Sequence, residues 1–290
     1  MAFLSSRPAP RPAATIIGVP FDATSTFRAG SREGPAAIRW ASQSIETYSP
    51  VLQRDLDDVA YADAGDLDVA GLTPEQLVTA VKDRVGALDA SLPLLLGGEH
   101  TITLGAVLTL QRRHSDLAVI QVDAHTDLRD TYENQPISHA TVMRRLLDVV
   151  APLHVLQVGV RAGTREEFAV AKRLRYSAPR LDIPGAVWSW LEPRPVYVTI
   201  DIDALDPAEA PGTGNPEPEG VRGQDLLAFV RRLGLLHVVG LDLVEVSPRY
   251  DPSGRTAVLA ATIVREAILA ITGSSQPTGT RDRGISGTSP

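Results

Sequence analysis

Short apolar runs recur along this chain, and stretches with helical spacing separate them. The runs are TIIGVPF (15–21), VAYADAGDL (59–67), PLLLGG (93–98), LAVIQVD (117–123), LHVLQVGV (153–160), AVWSW (186–190), PVYVTIDID (195–203) and HVVGLDLVEV (237–246). Several are Val, Ile or Leu almost throughout, which is the pattern of strands covered on both faces. The intervening spacing predicts helices over 34–44, 74–90, 101–114, 139–149, 164–176, 223–233 and 255–272. Thr73-Pro74-Glu75-Gln76 reads as a helix start, with Thr as the N-cap, Pro at the first helical position and Gln at the third. Strand–helix alternation of this kind builds an α/β fold, a mostly parallel sheet sandwiched by helices. No repeat or linker interrupts residues 14–272, so the pattern predicts one domain there. Residues 1–13, rich in Ala, Pro and Arg, and 273–290, rich in Gly, Ser, Thr and Pro, read as disordered tails.

Composition narrows the chemistry. The 290 residues include no cysteine, which excludes a disulfide framework, a thiolate nucleophile and zinc–thiolate ligation. A net charge of −7 argues against nucleic acid as a partner, because phosphate binding needs clustered Lys and Arg. No apolar stretch approaches the ~18–20 residues of a membrane span. The opening MAFLSSRPAPRPAAT lacks the apolar centre of a secretory signal. The expectation is a cytoplasmic protein with no membrane partner.

In parallel sheets, functional residues gather where strands end. The polar oddities of this chain fall at such places. The third run ends in GGEH (97–100), the fourth in DAHTD (123–127), the seventh in DIDALD (201–206) and the eighth in DLVEVSP (242–248). Alternate residues of a strand share a side. Asp123 and His125 therefore pair, Asp127 joins them as the strand gives out, Asp201 and Asp203 pair likewise, and His100 adds a second imidazole. A lone Asp-x-Asp at a strand end is more often a cap or turn acid than a ligand; here separate strand ends on one edge all carry such side chains. Four clustered carboxylates cannot all stay ionised unaided. Two divalent cations balance them, and an oxygen-rich set with some imidazole suits Mn2+ better than zinc. Paired cations also lower the pKa of a water between them towards neutrality. His114, His154 and His237 have no such company and receive no role.

The same segments carry a resemblance. GGEHTIT, DAHTD, SHAT, DIDALDPAEAPGTGNPEPEG and LDLVEVSP are similar, in order and spacing, to the signatures of the ureohydrolase family of arginases, agmatinases and related amidinohydrolases. The similarity extends from GVPFD (18–22) and RAGSREGPAAIR (28–39) to the last helix. It implies a three-layer α/β/α fold with an eight-stranded parallel sheet, a homotrimer or homohexamer, and a dimanganese centre that hydrolyses a guanidinium group to urea and an amine. By motif, His100, Asp123, Asp127 and Asp201 would hold one ion. His125 and Asp203 would hold the other, with Asp123 and Asp201 bridging. Asp127 would also orient the attacking water, Glu245 would pair with the substrate guanidinium, and His139 would transfer the proton that the leaving amine needs, a role suited to a near-neutral pKa. Two positions depart from the family pattern: Ala140 replaces a Gly, and Asn215 replaces a Thr near the substrate guanidinium.

The resemblance also bears on the substrate. Arginase-type members read the substrate's α-carboxylate and α-amino groups through a Ser-Gly-Asn-x-His stretch. Here QPISH (135–139) puts Pro136 and Ile137 in place of that Gly and Asn. Losing a buried hydrogen-bond partner costs about 1–3 kcal/mol, so the expected substrate is agmatine, converted to putrescine and urea. Asp130 and Glu133 are candidates to attract its distal ammonium. The alternatives are a guanidino acid such as guanidinobutyrate or arginine, favoured if Arg161 or Arg165 faces the pocket, and aminopropylagmatine. A non-catalytic binding relative would normally lack a ligand. A two-metal phosphoesterase would offer basic residues that these motifs lack.

Overall fold

A computed structural model of the chain describes residues 1–273. Eight strands form one sheet: β1 (Ala14–Val19), β2 (Tyr61–Asp66), β3 (Leu92–Gly97), β4 (Ala118–Val122), β5 (Val155–Val158), β6 (Tyr176–Ala178), β7 (Pro195–Asp201) and β8 (His237–Val244). All neighbours run parallel, in the order β2-β1-β3-β8-β7-β4-β5-β6. The helices are α1 (Gly34–Ser42), α2 (Pro74–Gly86), α3 (Ile102–Arg113), α4 (Val142–Leu146), α5 (Arg165–Ala171), α6 (Gly185–Leu191), α7 (Gly223–Arg232) and α8 (Arg255–Ile271).

Strand alternation creates two cores. Ile16, Leu94, Leu96, Ile120 and Val198 face a layer of α1, α6, α7 and α8, while Ile17, Leu95, Val119 and Tyr197 face α2, α3, α4 and α5. Burial on both faces is the physical reason these runs are apolar throughout. The result is the three-layer α/β/α fold with an eight-stranded parallel sheet. The predicted cap of α2 is also present, with Thr73 accepting from the Gln76 N–H and the Gln76 side chain accepting from the Thr73 N–H. No helix among the described residues is long and apolar enough to cross a membrane.

Two expectations require correction. AVWSW (186–190) is not a strand; it lies in α6. Trp188 and Leu191 are buried three residues apart, a helical spacing that a five-residue apolar window cannot distinguish from a strand. The strand actually present there is the short β6, at the end of the helix predicted over 164–176. It is a polar, half-covered edge strand, so it lacks the apolar signature of its neighbours.

Residues 1–13 are not a free tail. Phe3 is 1% exposed and packs in the first core. Its N–H donates to Asp63 Oδ2 at 2.8 Å, the Arg7 N–H donates to the Tyr61 carbonyl, and the Tyr61 hydroxyl donates to the Leu4 carbonyl. Asp63 is held in turn by the buried Arg39, with Nε and Nη2 on its two oxygens at 2.7 and 2.8 Å. One aromatic side chain outweighs the prolines around it. Phe3→Ala is expected to cost about 3–5 kcal/mol, read as a lower denaturant midpoint with metal content unchanged. An unaltered midpoint would show that the segment only rests on the surface. The tail expected over 273–290 lies, beyond Gly273, outside the described residues.

β3, β8, β7 and β4 are adjacent at the middle of the sheet, and their C-terminal ends lead into GGEH, EVSP, DIDALD and DAHTD. The topology therefore brings together residues more than a hundred positions apart. Close backbone packing helps to set this edge. A Cβ on Gly98 would stand 1.9 Å from the Phe21 carbonyl oxygen, so only glycine lets the two loops meet there.

Candidate metal centre

Six of the predicted residues meet at this edge. His100 Nδ1 lies 3.1 Å from Asp123 Oδ2, 3.0 Å from Asp127 Oδ2 and 3.6 Å from Asp201 Oδ2. His125 Nδ1 lies 2.9 Å from Asp203 Oδ2 and 3.7 Å from Asp123 Oδ1. Two potential metal-holding groups result, His100–Asp123–Asp127 and Asp123–His125–Asp203. Asp123 is common to both, and its two oxygens face different imidazoles. Asp201 stands on the His100 side and lines the same cavity as Asp203.

Local backbone explains how these side chains are aimed. Asp123 Oδ1 accepts from the His125 N–H at 2.6 Å, and Oδ2 accepts from Gln121 Nε2 at 2.6 Å. Asp201 Oδ1 accepts from the Asp203 N–H at 2.9 Å, and Asp203 Oδ1 from the Ala124 N–H at 3.1 Å. Asp127 and Glu245 have φ of 52° and 64°, a left-handed conformation rare in non-glycine residues. Glu245 is held on both ends: its N–H donates to the Gly98 carbonyl, and Oε1 accepts from the His100 N–H at 2.8 Å.

The electrostatics are crowded. Burial and the charges of Asp203 and Asp123 push Asp201 well above the usual carboxylate range. Burial and Asp123 push Asp127 up to about 7. Burial and Glu99 raise Glu245. Burial lowers the imidazoles, but the carboxylates outweigh it, holding His100 well above its ordinary value and taking His125 up to about 12. Those two imidazoles in turn outweigh burial at Asp123 and hold it low. Carboxylates and imidazoles here share protons to moderate their repulsion, and divalent cations do the same more completely. The donor set fits such ions. His100 Nδ1 is fully buried and has no hydrogen-bond partner of good geometry, while its Nε2 is taken up by Thr199. A buried imidazole nitrogen among carboxylate oxygens is a ligand arrangement.

The surrounding cavity measures about 280 Å³, and His139, Ala140, Asn215 and Glu245 line it. The Thr24 hydroxyl donates to Glu99 at 2.6 Å, so it can only accept from His139 Nδ1 at 3.3 Å, which leaves Nε2 without a proton. Burial, followed by the positive charges on His125 and His100, lowers the His139 pKa to about 4, well below the near-neutral value expected from sequence.

Four further candidates stay out of the cavity, for reasons the contacts make plain. Arg161 donates to five backbone carbonyls, those of Gly159, Asp203, Ala204, Glu217 and Pro218, so it ties loops together and does not line the cavity. Arg165 is exposed at the start of α5 and is also absent from the lining. Asp130 pairs with Arg144 and Arg145, and Glu133 lines a separate groove beside Thr24 and Ser138. The sequence reading missed Arg129, Tyr132, Glu167 and Glu217 in the cavity wall. Arg129 stacks 4.8 Å from the Tyr132 ring centre and reaches within 3.6 Å of Glu167. Glu217 Oε1 stands 3.6 Å from His125 Nε2. Only Glu217 left a trace, as the first acid of PEPEG.

The model of the arginase family matches residues 12–270. The chain is similar to an agmatinase of Bacillus anthracis, with 42% identity covering 92% of this chain and 95% of the relative. It is also similar to an agmatinase of Bacillus subtilis, with 40% identity over 92% of this chain and 95% of that protein. Among solved structures, the agmatine ureohydrolase of Thermoplasma volcanium superposes with a TM-score of 0.84 at 33% identity, covering 93% of this chain and 94% of that one. A match that runs from the first strand to the last helix takes in every loop that builds the cavity, and the chain belongs to the arginase family.

Proposed function

We propose that this chain is a dimanganese ureohydrolase that converts agmatine to putrescine and urea. The observation that carries the reading is the division of Asp123 between two imidazole-bearing groups beside a cavity that Glu245 lines. His100, Asp123, Asp127 and Asp201 would hold one ion, and His125 and Asp203 the other, with Asp123 and Asp201 shared. One of these residues comes from GGEH, three from DAHTD and two from DIDALD, so the set depends on three strand ends of one sheet edge. Ions held there would supply Lewis acidity and a lowered pKa for the attacking water.

The protein's own residues do the rest. Glu245 presents a carboxylate to the flat, forked guanidinium, a pairing favoured by bidentate geometry. Asn215, on the same wall, offers the guanidinium a carbonyl oxygen. Asp127 accepts a hydrogen bond from the attacking water and so orients it. His139, neutral at Nε2, relays a proton to the departing amine, which cannot leave as an anion. The buried walls hold these groups in place, which lowers the entropic part of the barrier.

Agmatine is favoured over arginine because the candidate carboxylate readers are otherwise engaged. Arg161 is consumed by carbonyls, and Ile137 packs against the second core. The wall carries two further acids, Glu167 and Glu217, against one base, Arg129. A distal ammonium suits that balance better than a carboxylate. Arg129 is the one feature that favours a second reading, a guanidino acid such as guanidinobutyrate. The assembly expected with this reading is a homotrimer or homohexamer.

Incubating the Mn2+-loaded protein separately with agmatine, arginine, guanidinobutyrate and a generic phosphoester tests the proposal. Urea should come from agmatine with kcat/KM about 5- to 150-fold above that for arginine, the equivalent of one unmatched buried polar group at 1–3 kcal/mol. Preference for arginine overturns the substrate, and phosphate release without urea overturns the reaction class.

A further inference from the structure

Behind His100 lies a buried carboxylate that the reaction above does not use. Asp242, in β8, is fully buried among other buried polar side chains. Its Oδ2 accepts from the Tyr197 hydroxyl at 2.5 Å and the Thr103 hydroxyl at 2.8 Å, and its Oδ1 accepts from the Thr199 hydroxyl at 2.5 Å. Thr199 Oγ1 is also 2.8 Å from His100 Nε2. Burying a carboxylate costs several kcal/mol, which the three hydroxyl donors offset in part.

Hydrogen-bond direction fixes where the protons lie. A carboxylate only accepts, so the single hydroxyl proton of Thr199 goes to Asp242. Thr199 Oγ1 must then accept from His100, which places the imidazole proton on Nε2. In the neutral imidazole that holding a cation requires, the lone pair then falls on Nδ1, the atom that faces Asp123 and Asp127. The other imidazole of the site, His125, has no such chain: its Nε2 stands 3.6 Å from Glu217, whose side chain is 38% exposed.

We propose that Asp242 is a positioning residue for the metal centre, acting through Thr199 to fix the tautomer and ring orientation of His100. The inference rests on the dimetal reading of the site. It predicts an asymmetry, since only the ion on the His100 side depends on this chain of hydroxyls.

Thr199→Val removes the link while keeping the β-branched shape that a strand prefers. Tyr197→Phe also removes one hydrogen bond from Asp242, but from a group not in line with His100. Full-length protein stripped of metal is titrated with Mn2+ in equilibrium dialysis, and bound metal is counted by elemental analysis. Thr199→Val should weaken one of two ions by roughly 10- to 100-fold, the usual effect of losing a partner of a ligating histidine, and leave the other within a few-fold. Thr199→Ser should restore the loss. Tyr197→Phe should lower the melting temperature with both affinities kept. Thr199→Val in a His100→Asn background should add no further loss, because the two act in series.

Wild-type affinity for both ions in Thr199→Val overturns the proposal. So does an equal weakening by Thr199→Val and Tyr197→Phe, which would mark Asp242 as a packing element alone. A wild-type protein that binds no Mn2+ overturns the dimetal reading, and this inference with it.

Discussion

Asp123→Asn is expected to reduce urea formation by on the order of 10³-fold or more, since a pair of metal ions contributes several kcal/mol to the barrier. Both Asp123 oxygens are engaged, one towards each imidazole. An amide keeps one oxygen and replaces the other with N–H donors, which cannot ligate. That nitrogen would also face either the Gln121 amide or the His125 N–H, both of them donors. Metal content should therefore fall below two ions per chain, and the substitution should disturb only local structure. The circular dichroism spectrum should keep its native shape, because the sheet is held by two apolar cores and not by this carboxylate. Turnover equal to wild type, or two tightly held ions, would remove Asp123 from its shared position.

The legibility of this centre in the sequence has a physical cause. A strand buried on both faces must be apolar, so a charged residue at its end stands out. Asp123, Asp201 and His100 each follow such a run, and parallel topology puts those ends on one edge. The same logic fails where strands are short or partly covered. Tyr176–Ala178 is an edge strand with an exposed middle residue, and nothing apolar marks it. AVWSW is too short for its periodicity to choose between helix and strand. Phe3 was hidden by its Pro-rich surroundings. The left-handed φ of Asp127 and Glu245 left no sign, because glycine is the usual marker of that conformation and neither position has one. Side chains that reach the cavity from loops were the least visible. Tyr132 closes a tight hairpin with Gln135 across Glu133 and Asn134, both at positive φ, and Arg129 stacks on it. Asp130, a candidate in the same loop for its charge alone, pairs instead with Arg144 and Arg145.

Glu245→Gln should lower kcat/KM for agmatine by about 10²-fold or more, the equivalent of losing one partner of a buried charge pair at 2–5 kcal/mol. The substitution preserves shape closely. Glutamine Oε1 can still accept from the His100 N–H, as Glu245 does at 2.8 Å, and the backbone bond to Gly98 is untouched. The metal groups include neither oxygen of Glu245, so two ions should remain bound. Charge is what changes. Burial and the neighbouring Glu99 already raise the Glu245 carboxyl, so its ionised form is unfavourable until a cation arrives beside it. A guanidinium is such a cation, and its arrival favours the ionised form. Removing the charge should therefore leave the melting temperature of the free protein unchanged or higher while binding and turnover weaken. A merely structural glutamate would give the opposite pattern, with lower stability and intact kcat/KM. Loss of bound metal in the same variant would instead assign Glu245 to the ion-holding set, and the guanidinium would then need another carboxylate, of which Glu217, in the same cavity lining, is the candidate.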